Sequence, residues 1–207
     1  MLKIGVVLDE IIEVTHPLVN LIKAIIDSGE GDVSLISDKP LIEGISEYLN
    51  IGIEKIYFIE NLNHMTLELD IYFSTKAPLI YQIQKKGLLG GHINLECNEC
   101  QIAFDHRLFL DEISYKATEN WLKLIGFLQK QTEVALKLTI ITTRQRSIDD
   151  SIKKRFKEAN CKLDAICFLA IGDKEDIFNF FSPCLYFEGE KKETFPPMTL
   201  AKPLLFV

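Results

Sequence analysis

The chain has 207 residues, of which 47% are hydrophobic, and a formal net charge of −7. This apolar fraction is enough for a buried core and argues against a disordered chain. The negative charge disfavours nucleic acid as a partner, because phosphate backbones are repelled. No apolar stretch approaches the roughly 20 residues of a transmembrane helix, and the first residues lack the charge order of a signal peptide. We therefore expect a cytoplasmic protein that binds neither nucleic acid nor membrane.

A basic run lies in the second half of the chain, at Lys153, Lys154, Arg155 and Lys157. Such a run could contact a nucleic acid, but in a predicted helix it is more typical of a solvated face. We interpret it as that face.

Five cysteines are present, and one of them, Cys167, falls in an apolar run. An odd number with a core position argues against a secreted disulfide framework. Cys97 and Cys100 form a Cys-x-x-Cys pair, and His92 and His106 are near in sequence, so the four could ligate zinc. A second Cys-x-x-Cys pair is missing from the sequence, which makes zinc the less favoured interpretation.

Residues 1–96 alternate between strand and helix patterns. Strands are predicted at residues 3–8, 33–36, 55–59 and 69–73, and helices at 18–26 and 41–49. The strands are continuous apolar runs, which is typical of strands buried on both faces of a parallel sheet.

Residues 97–207 repeat this order. Strands are predicted at residues 101–104, 137–141, 165–169 and 184–187, and helices at 121–128 and 148–159. The pattern predicts an α/β fold of two tandem Rossmann-like halves with parallel sheets, divided into 1–96 and 97–207. Residues 204–207 are apolar and are predicted to form either an edge strand or a subunit contact in a homo-oligomer.

Ligands of such sheets bind beyond the carboxyl ends of the strands. In the second half the residues there are Asp105, Thr142, Lys174, in the loop after residue 169, and Glu188. Phosphoryl transfer needs a carboxylate nucleophile, a second carboxylate for Mg²⁺, and a hydroxyl and an ammonium for the phosphate oxygens. The four residues fit these roles, although each could equally cap a helix.

Five segments carry a family resemblance. They are Gln101 to Asp105, Leu108 to Glu112, Ile140 to Arg144, Phe168 to Lys174 and Leu185 to Glu188. These segments resemble the haloacid dehalogenase motifs of the class I cytosolic and bacterial 5′-nucleotidases. The resemblance implies a haloacid dehalogenase-like second half and Mg²⁺-dependent hydrolysis of nucleoside 5′-monophosphates. It implies Asp105 as nucleophile, Asp105 and Glu188 as Mg²⁺ ligands, and Thr142 and Lys174 on the phosphate. Arg107, Thr143 and Arg144, which stand close to Asp105 and Thr142 in sequence, are the candidate substrate-binding residues.

The sequence departs from the family pattern in two motifs. Arg107 stands where the family has an aspartate that acts as general acid and base, and arginine does not release its proton. Glu188 and Gly189 replace a pair of aspartates. His106 could replace the lost acid, because its ordinary pKa near 6.5 suits that task.

These observations leave two functions open. The leading hypothesis is a nucleotidase-like phosphatase of weak or altered turnover. The alternative is a non-catalytic relative that binds a nucleotide or a protein partner, since Arg107 favours holding an anion over cleaving it. The first half has its own polar residues after strands, namely Asp9, Glu10, Ser37, Asp38 and Ser74. We interpret these as a substrate-side or structural counterpart.

Overall fold

We describe the fold from a computed structural model. It defines residues 1–8, 12–37, 43–58, 68–110, 112–131, 135–142, 149–168, 174–189 and 204–206. The strands are β1 (Leu2–Val7), β2 (Gly31–Ser37), β3 (Ile56–Phe58), β4 (Ile71–Ser74), β5 (Leu89–Ile93), β6 (Gln101–Asp105), β7 (Lys137–Thr142), β8 (Ala165–Phe168), β9 (Leu185–Phe187) and β10 (Leu204–Phe206). The helices are α1 (Pro17–Ser28), α2 (Glu43–Leu49), α3 (Ala77–Lys85), α4 (Glu112–Gln131), α5 (Asp149–Glu158) and α6 (Lys174–Phe181).

The described strands form one continuous sheet in the order β10-β8-β7-β6-β9-β5-β4-β1-β2-β3. Neighbouring strands are parallel except at two places, β5 with β9 and β8 with β10. The order β4-β1-β2-β3 in the first half recurs as β9-β6-β7-β8 in the second. The mostly parallel α/β architecture is confirmed, and the two halves share one sheet.

The two halves meet where β5 and β9 run antiparallel, a contact we call the seam. A Cβ on Gly91 in β5 would lie 2.9 Å from the Phe187 ring of β9, so the strands pass with no room for a side chain there. Phe187 stacks on Phe104 of β6 at 5.2 Å and lies 5.7 Å from Trp121 of α4, whose ring contacts Phe73 of β4 at 5.4 Å. One hydrophobic core therefore crosses the seam on this face of the sheet.

Local sequence explains the boundaries of α1. The His16 side chain accepts a hydrogen bond from the Leu18 amide, Pro17 follows at the first helical position, and Gly29 ends the helix with φ of 71°. A capping side chain, an early proline and a left-handed glycine are the usual start and stop signals. These signals thus explain why α1 begins at Pro17 and ends at Ser28.

Three features differ from the sequence-based expectation or extend it. Lys174 is the first residue of α6 and does not lie in a loop. The pattern did not predict β5, α3 or α6. The predicted terminal edge strand is confirmed, because β10 pairs antiparallel with β8 at the end of the sheet. Of the helices that the structure describes, none has the length and apolarity to cross a membrane.

Candidate functional site around Asp105

The end of β6 brings Asp105 between two neighbouring strand ends. In the register of the sheet Asp105 pairs with Ile141 of β7, and Phe104 pairs with Phe187 of β9. Thr142 and Glu188 therefore follow on either side at the same edge, as the sequence predicted. Parallel strands place their carboxyl ends together, which is why residues so far apart in the chain converge here.

Both oxygens of the Asp105 carboxylate are bound by Arg107. The Arg107 amide donates to Oδ1 at 2.8 Å, and Nε donates to Oδ2 at 2.8 Å, joined there by Nη2. The side chain of Asp105 is only 8% exposed. Oδ1 thus caps the short 3-10 turn His106–Phe109, and Oδ2 accepts two hydrogen bonds from the guanidinium.

The Arg107 guanidinium also faces the second carboxylate. Its Nη2 lies 4.0 Å from Glu188 Oε1, and Glu188 Oε2 lies 3.6 Å from His92 Nε2. Burial alone lowers the pKa of Arg107, but the hydrogen bonds and charge of Asp105 outweigh it and raise that pKa above its ordinary value. The guanidinium stays charged between Asp105 and Glu188.

Gly189 packs directly against Arg107. A Cβ at position 189 would lie 2.5 Å from the Arg107 Cβ and 3.2 Å from the Leu108 amide nitrogen. A side chain at position 189 would therefore collide with Arg107 as it is placed. The two departures from the family motif, Arg107 and Gly189, are thus sterically matched to each other.

A phenol and two imidazoles complete the cluster. Tyr186 donates its hydroxyl to Asp105 Oδ2 at 3.5 Å. Burial, followed by the charges of Asp105 and Glu188, holds the pKa of Tyr186 well above its usual value, so the hydroxyl remains a donor. His106 is buried, with Nδ1 3.4 Å from Asp105 Oδ1. The ring of His92 in β5 stacks on Tyr186 with centroids 6.2 Å apart.

Sequence reasoning missed Tyr186 and did not place His92 here. Tyr186 belongs to the segment Leu185 to Glu188, where the sequence pattern indicates only a buried apolar strand. His92 was considered as a zinc ligand because it is near Cys97 in sequence; the antiparallel pairing of His92 with Tyr186 brings it to this site instead. His106 likewise contacts Asp105, so the four residues that could have ligated zinc, Cys97, Cys100, His92 and His106, do not lie together.

The donor set does not fit Mg²⁺ as it is arranged. An ion shared by Asp105 and Glu188 would need the space and the oxygen atoms that the Arg107 guanidinium takes, and two adjacent cations repel. In the part of the chain that the structure describes, no three His, Cys, Asp or Glu side chains are grouped to hold a metal ion.

The remaining predicted residues are placed only in part. Thr142 is buried at the end of β7, beside the strand that carries Asp105. Lys174 begins α6, and its side chain lies outside the described residues, as do Thr143 and Arg144. In the first half, Asp9, Glu10 and Asp38 also lie outside them, whereas Ser37 donates to the Leu8 carbonyl at 2.8 Å and Ser74 accepts from the Lys76 amide at 3.0 Å.

A cavity of about 390 Å³ opens beside the Asp105 cluster. Its lining includes Glu188, His92 and four residues of α3, of which Tyr81, Gln84 and Lys85 carry polar groups. The Lys85 ammonium lies 4.4 Å from the centre of the Tyr81 ring, and the Gln84 amide donates to the Glu188 carbonyl at 2.7 Å. The volume falls in the range of small-molecule sites, and its wall offers an aromatic face, an ammonium and a carboxylate.

Among protein-family models, curated proteins and solved structures, no match to this chain is found.

Proposed function

We propose that the chain binds a nucleoside 5′-monophosphate beside the Asp105 cluster without hydrolysing it, as a non-catalytic relative of the 5′-nucleotidases. The observation that carries this proposal is the position of Arg107, whose backbone amide and guanidinium together bind both oxygens of Asp105 and whose guanidinium faces Glu188. A carboxylate engaged in this way is a poor nucleophile, because its lone pairs already accept hydrogen bonds from N–H groups.

The cavity supports a nucleotide as the ligand. The Tyr81 ring is 57% exposed and offers a face on which a base can stack, and the nearby Lys85 can meet a phosphate. The resemblance of five segments to nucleotidase motifs favours the same ligand class. The Glu188 carboxylate, paired with Arg107 and His92, remains able to accept a hydrogen bond from a base or a ribose hydroxyl.

The test is calorimetric titration of the full chain with a panel of nucleoside 5′-monophosphates, in EDTA and in Mg²⁺. We expect one nucleotide or more to bind equally under both conditions, and phosphate release to be no greater than for Asp105→Asn. Phosphate release that requires Mg²⁺ and Asp105 would replace this proposal with the phosphatase. The absence of nucleotide binding at millimolar concentration would remove it.

A matched pair of lysines locates the ligand. Lys85→Ala is expected to weaken nucleotide binding roughly tenfold, about 1.4 kcal/mol, because it removes the ammonium from the cavity wall. Lys23→Ala is the control, since Lys23 lies 5.7 Å from the Tyr48 ring in a similar arrangement on α1, which does not line this cavity. Equal losses in the two variants would place the ligand elsewhere.

A further inference from the structure

Two cysteines approach each other where β6 and β9 begin. Cys100 immediately precedes β6 and Cys184 immediately precedes β9, and the two strands are parallel neighbours in the sheet. The two sulfurs lie 3.8 Å apart, although 84 positions separate the residues in the chain. Both residues are free thiols. We call Cys100 and Cys184 the thiol pair.

The sheet holds the backbone of both members of the thiol pair. The Cys184 amide donates to the Gln101 carbonyl at 2.8 Å, and the Lys137 amide donates to the Cys100 carbonyl at 3.1 Å. A disulfide has an S–S bond of about 2.0 Å, so its formation needs the two sulfurs to approach by roughly 2 Å. Rotation about a Cα–Cβ bond moves a sulfur by about this much, so the strands can stay paired while the bond forms.

The Cys-x-x-Cys spacing alone would pair Cys100 with Cys97. In the folded chain, Cys97 Sγ contacts the imidazole of His16, with Nε2 at 3.3 Å. The His16 ring is itself fixed, because the Leu18 amide donates to its Nδ1 at 3.2 Å. Cys97 is therefore held by a histidine, whereas the Cys100 sulfur has the Cys184 sulfur as its neighbour.

Reagents reach the thiol pair through Cys100. A second, larger cavity of about 840 Å³ lies between α1 and α4, and Cys100 forms part of its wall with Asn98, Lys23 and Phe127. Cys100 is partly exposed, whereas Cys184 has no exposed surface. A reagent in the cavity therefore meets the Cys100 sulfur first, and Cys184 reacts only with what Cys100 has bound.

The size and lining of this cavity suit a low-molecular-weight disulfide. Its volume falls in the range of small-molecule sites. Its wall offers three amide side chains and one ion pair, at Asn20, Asn98, Gln131, Lys23 and Asp27. Such groups bind the amides and charges of a small peptide-like molecule better than they bind an apolar one, because buried polar groups need polar partners.

We propose that the thiol pair undergoes thiol–disulfide exchange with a low-molecular-weight disulfide in this cavity and itself becomes a disulfide. The Cys100 sulfur, as a thiolate, attacks one sulfur of the small disulfide, and the S–S bond of that molecule breaks. The first half leaves and takes up the proton that Cys100 lost. The Cys184 sulfur then attacks the Cys100 sulfur, the mixed disulfide breaks, and the second half leaves with the proton of Cys184. The two cysteines lose two electrons, and the small disulfide gains them as two thiols.

The test is disulfide mapping of the wild-type full chain after incubation with oxidised glutathione. Digestion without reduction by a protease that cleaves after glutamate separates Cys97 from Cys100 at Glu99. We expect the peptide containing Cys100 to be linked to the peptide containing Cys184, and dithiothreitol to restore both thiols. Cys161 is the internal control, because burial raises the pKa of its thiol to about 12, and it should stay reduced. A link from either member of the thiol pair to Cys97, or no link at all, would overturn the proposal.

Three variants separate the roles of the thiols. In Cys184→Ala, glutathione should stay on Cys100 as a mixed disulfide, seen by intact mass, because no second thiol displaces it. Cys100→Ala should react with oxidised glutathione at least about tenfold more slowly, since the thiol in the cavity wall is lost. Cys97→Ala is the matched control, because it removes a neighbouring thiol and leaves the thiol pair, and it should form the link within about twofold of the wild-type rate. Glutathione on Cys97 in Cys184→Ala, or loss of the link in Cys97→Ala, would contradict the assignment.

Discussion

The two halves of the sheet share a strand order but end their strands with different chemistry. In the first half, Ser37 at the end of β2 and Ser74 at the end of β4 are neutral, and each bonds to nearby backbone. In the second half, the equivalent edge carries the Asp105 and Glu188 carboxylates with a guanidinium between them. Topology therefore brings side chains to the edge in both halves. Among the residues that the structure describes, the buried charge at this edge lies in the second half; Asp9, Glu10 and Asp38 of the first half are outside those residues.

Among the described residues, this difference points to the second half as the specialised one. A hydroxyl that bonds to its own backbone stabilises a strand end and needs no ligand. A buried ion pair is a weak source of stability, because desolvation offsets most of the attraction. A buried ion pair at a strand end beside a cavity is therefore better explained by a function of that site than by a contribution to folding.

The largest expected effect comes from removing the cation of the buried pair. Arg107→Ala should lower the free energy of unfolding by about 3–5 kcal/mol, because the Asp105 carboxylate, 8% exposed, would be left without its main partner. Denaturant unfolding followed by circular dichroism measures this change.

The control is Lys154→Ala, which also removes the cation of an ion pair. Lys154 pairs with Glu158 at 3.7 Å on an exposed face of α5, and its loss should change stability by no more than about 0.5 kcal/mol. If Arg107→Ala were as mild, the guanidinium would not lie between the two carboxylates in solution.

The fold was largely predictable from sequence, because its signal is local. Continuous apolar runs that end in polar residues marked eight of the strands, and the repeat of these runs anticipated the repeated strand order. Strand β5 was missed because Gly90 and Gly91 weaken a strand pattern. The reason for Gly91 lies in its contact with Phe187, which is 96 positions away in the chain and visible only in the folded protein.

Residues of the candidate site could be predicted where a local sequence motif identified them, but contacts between distant segments could not. Asp105 and Glu188 lie in segments that resemble the nucleotidase motifs, and Arg107 was singled out as a departure two positions after Asp105; the structure brings the three together. The hydrogen bonds from the Arg107 guanidinium to Asp105 form only because the turn after β6 folds the side chain back. The contact of Arg107 with Gly189 forms only because β9 lies beside β6. The partnership of Cys97 with His16 spans 81 residues and has no sequence signal of its own.

A second test addresses the seam between the halves. Gly91→Ala should destabilise the protein by about 1–3 kcal/mol, since a Cβ there would lie 2.9 Å from the Phe187 ring and 3.2 Å from Phe73. Gly44→Ala in α2 is the control: a Cβ there has open space, so the change should be neutral or slightly stabilising.

The core shared across the seam leads us to expect that the two halves unfold together. Because the aromatic core around Phe187 belongs to both, fluorescence of Trp121 and far-ultraviolet circular dichroism should report one coincident transition. Two separate transitions in the wild-type protein would show that the halves differ in stability as well as in chemistry, and that the seam does not couple them.

The smallest expected effect concerns the neutral strand ends of the first half. Ser37→Ala removes one hydrogen bond to the Leu8 carbonyl, and Ser74→Ala removes one from the Lys76 amide just ahead of α3. Each should lower the free energy of unfolding by about 1 kcal/mol, measured by denaturant titration. Neither should change nucleotide affinity, because their bonds are to backbone and no charge is lost. A loss of nucleotide binding in either variant would assign the ligand to the first half and reverse the comparison between the halves.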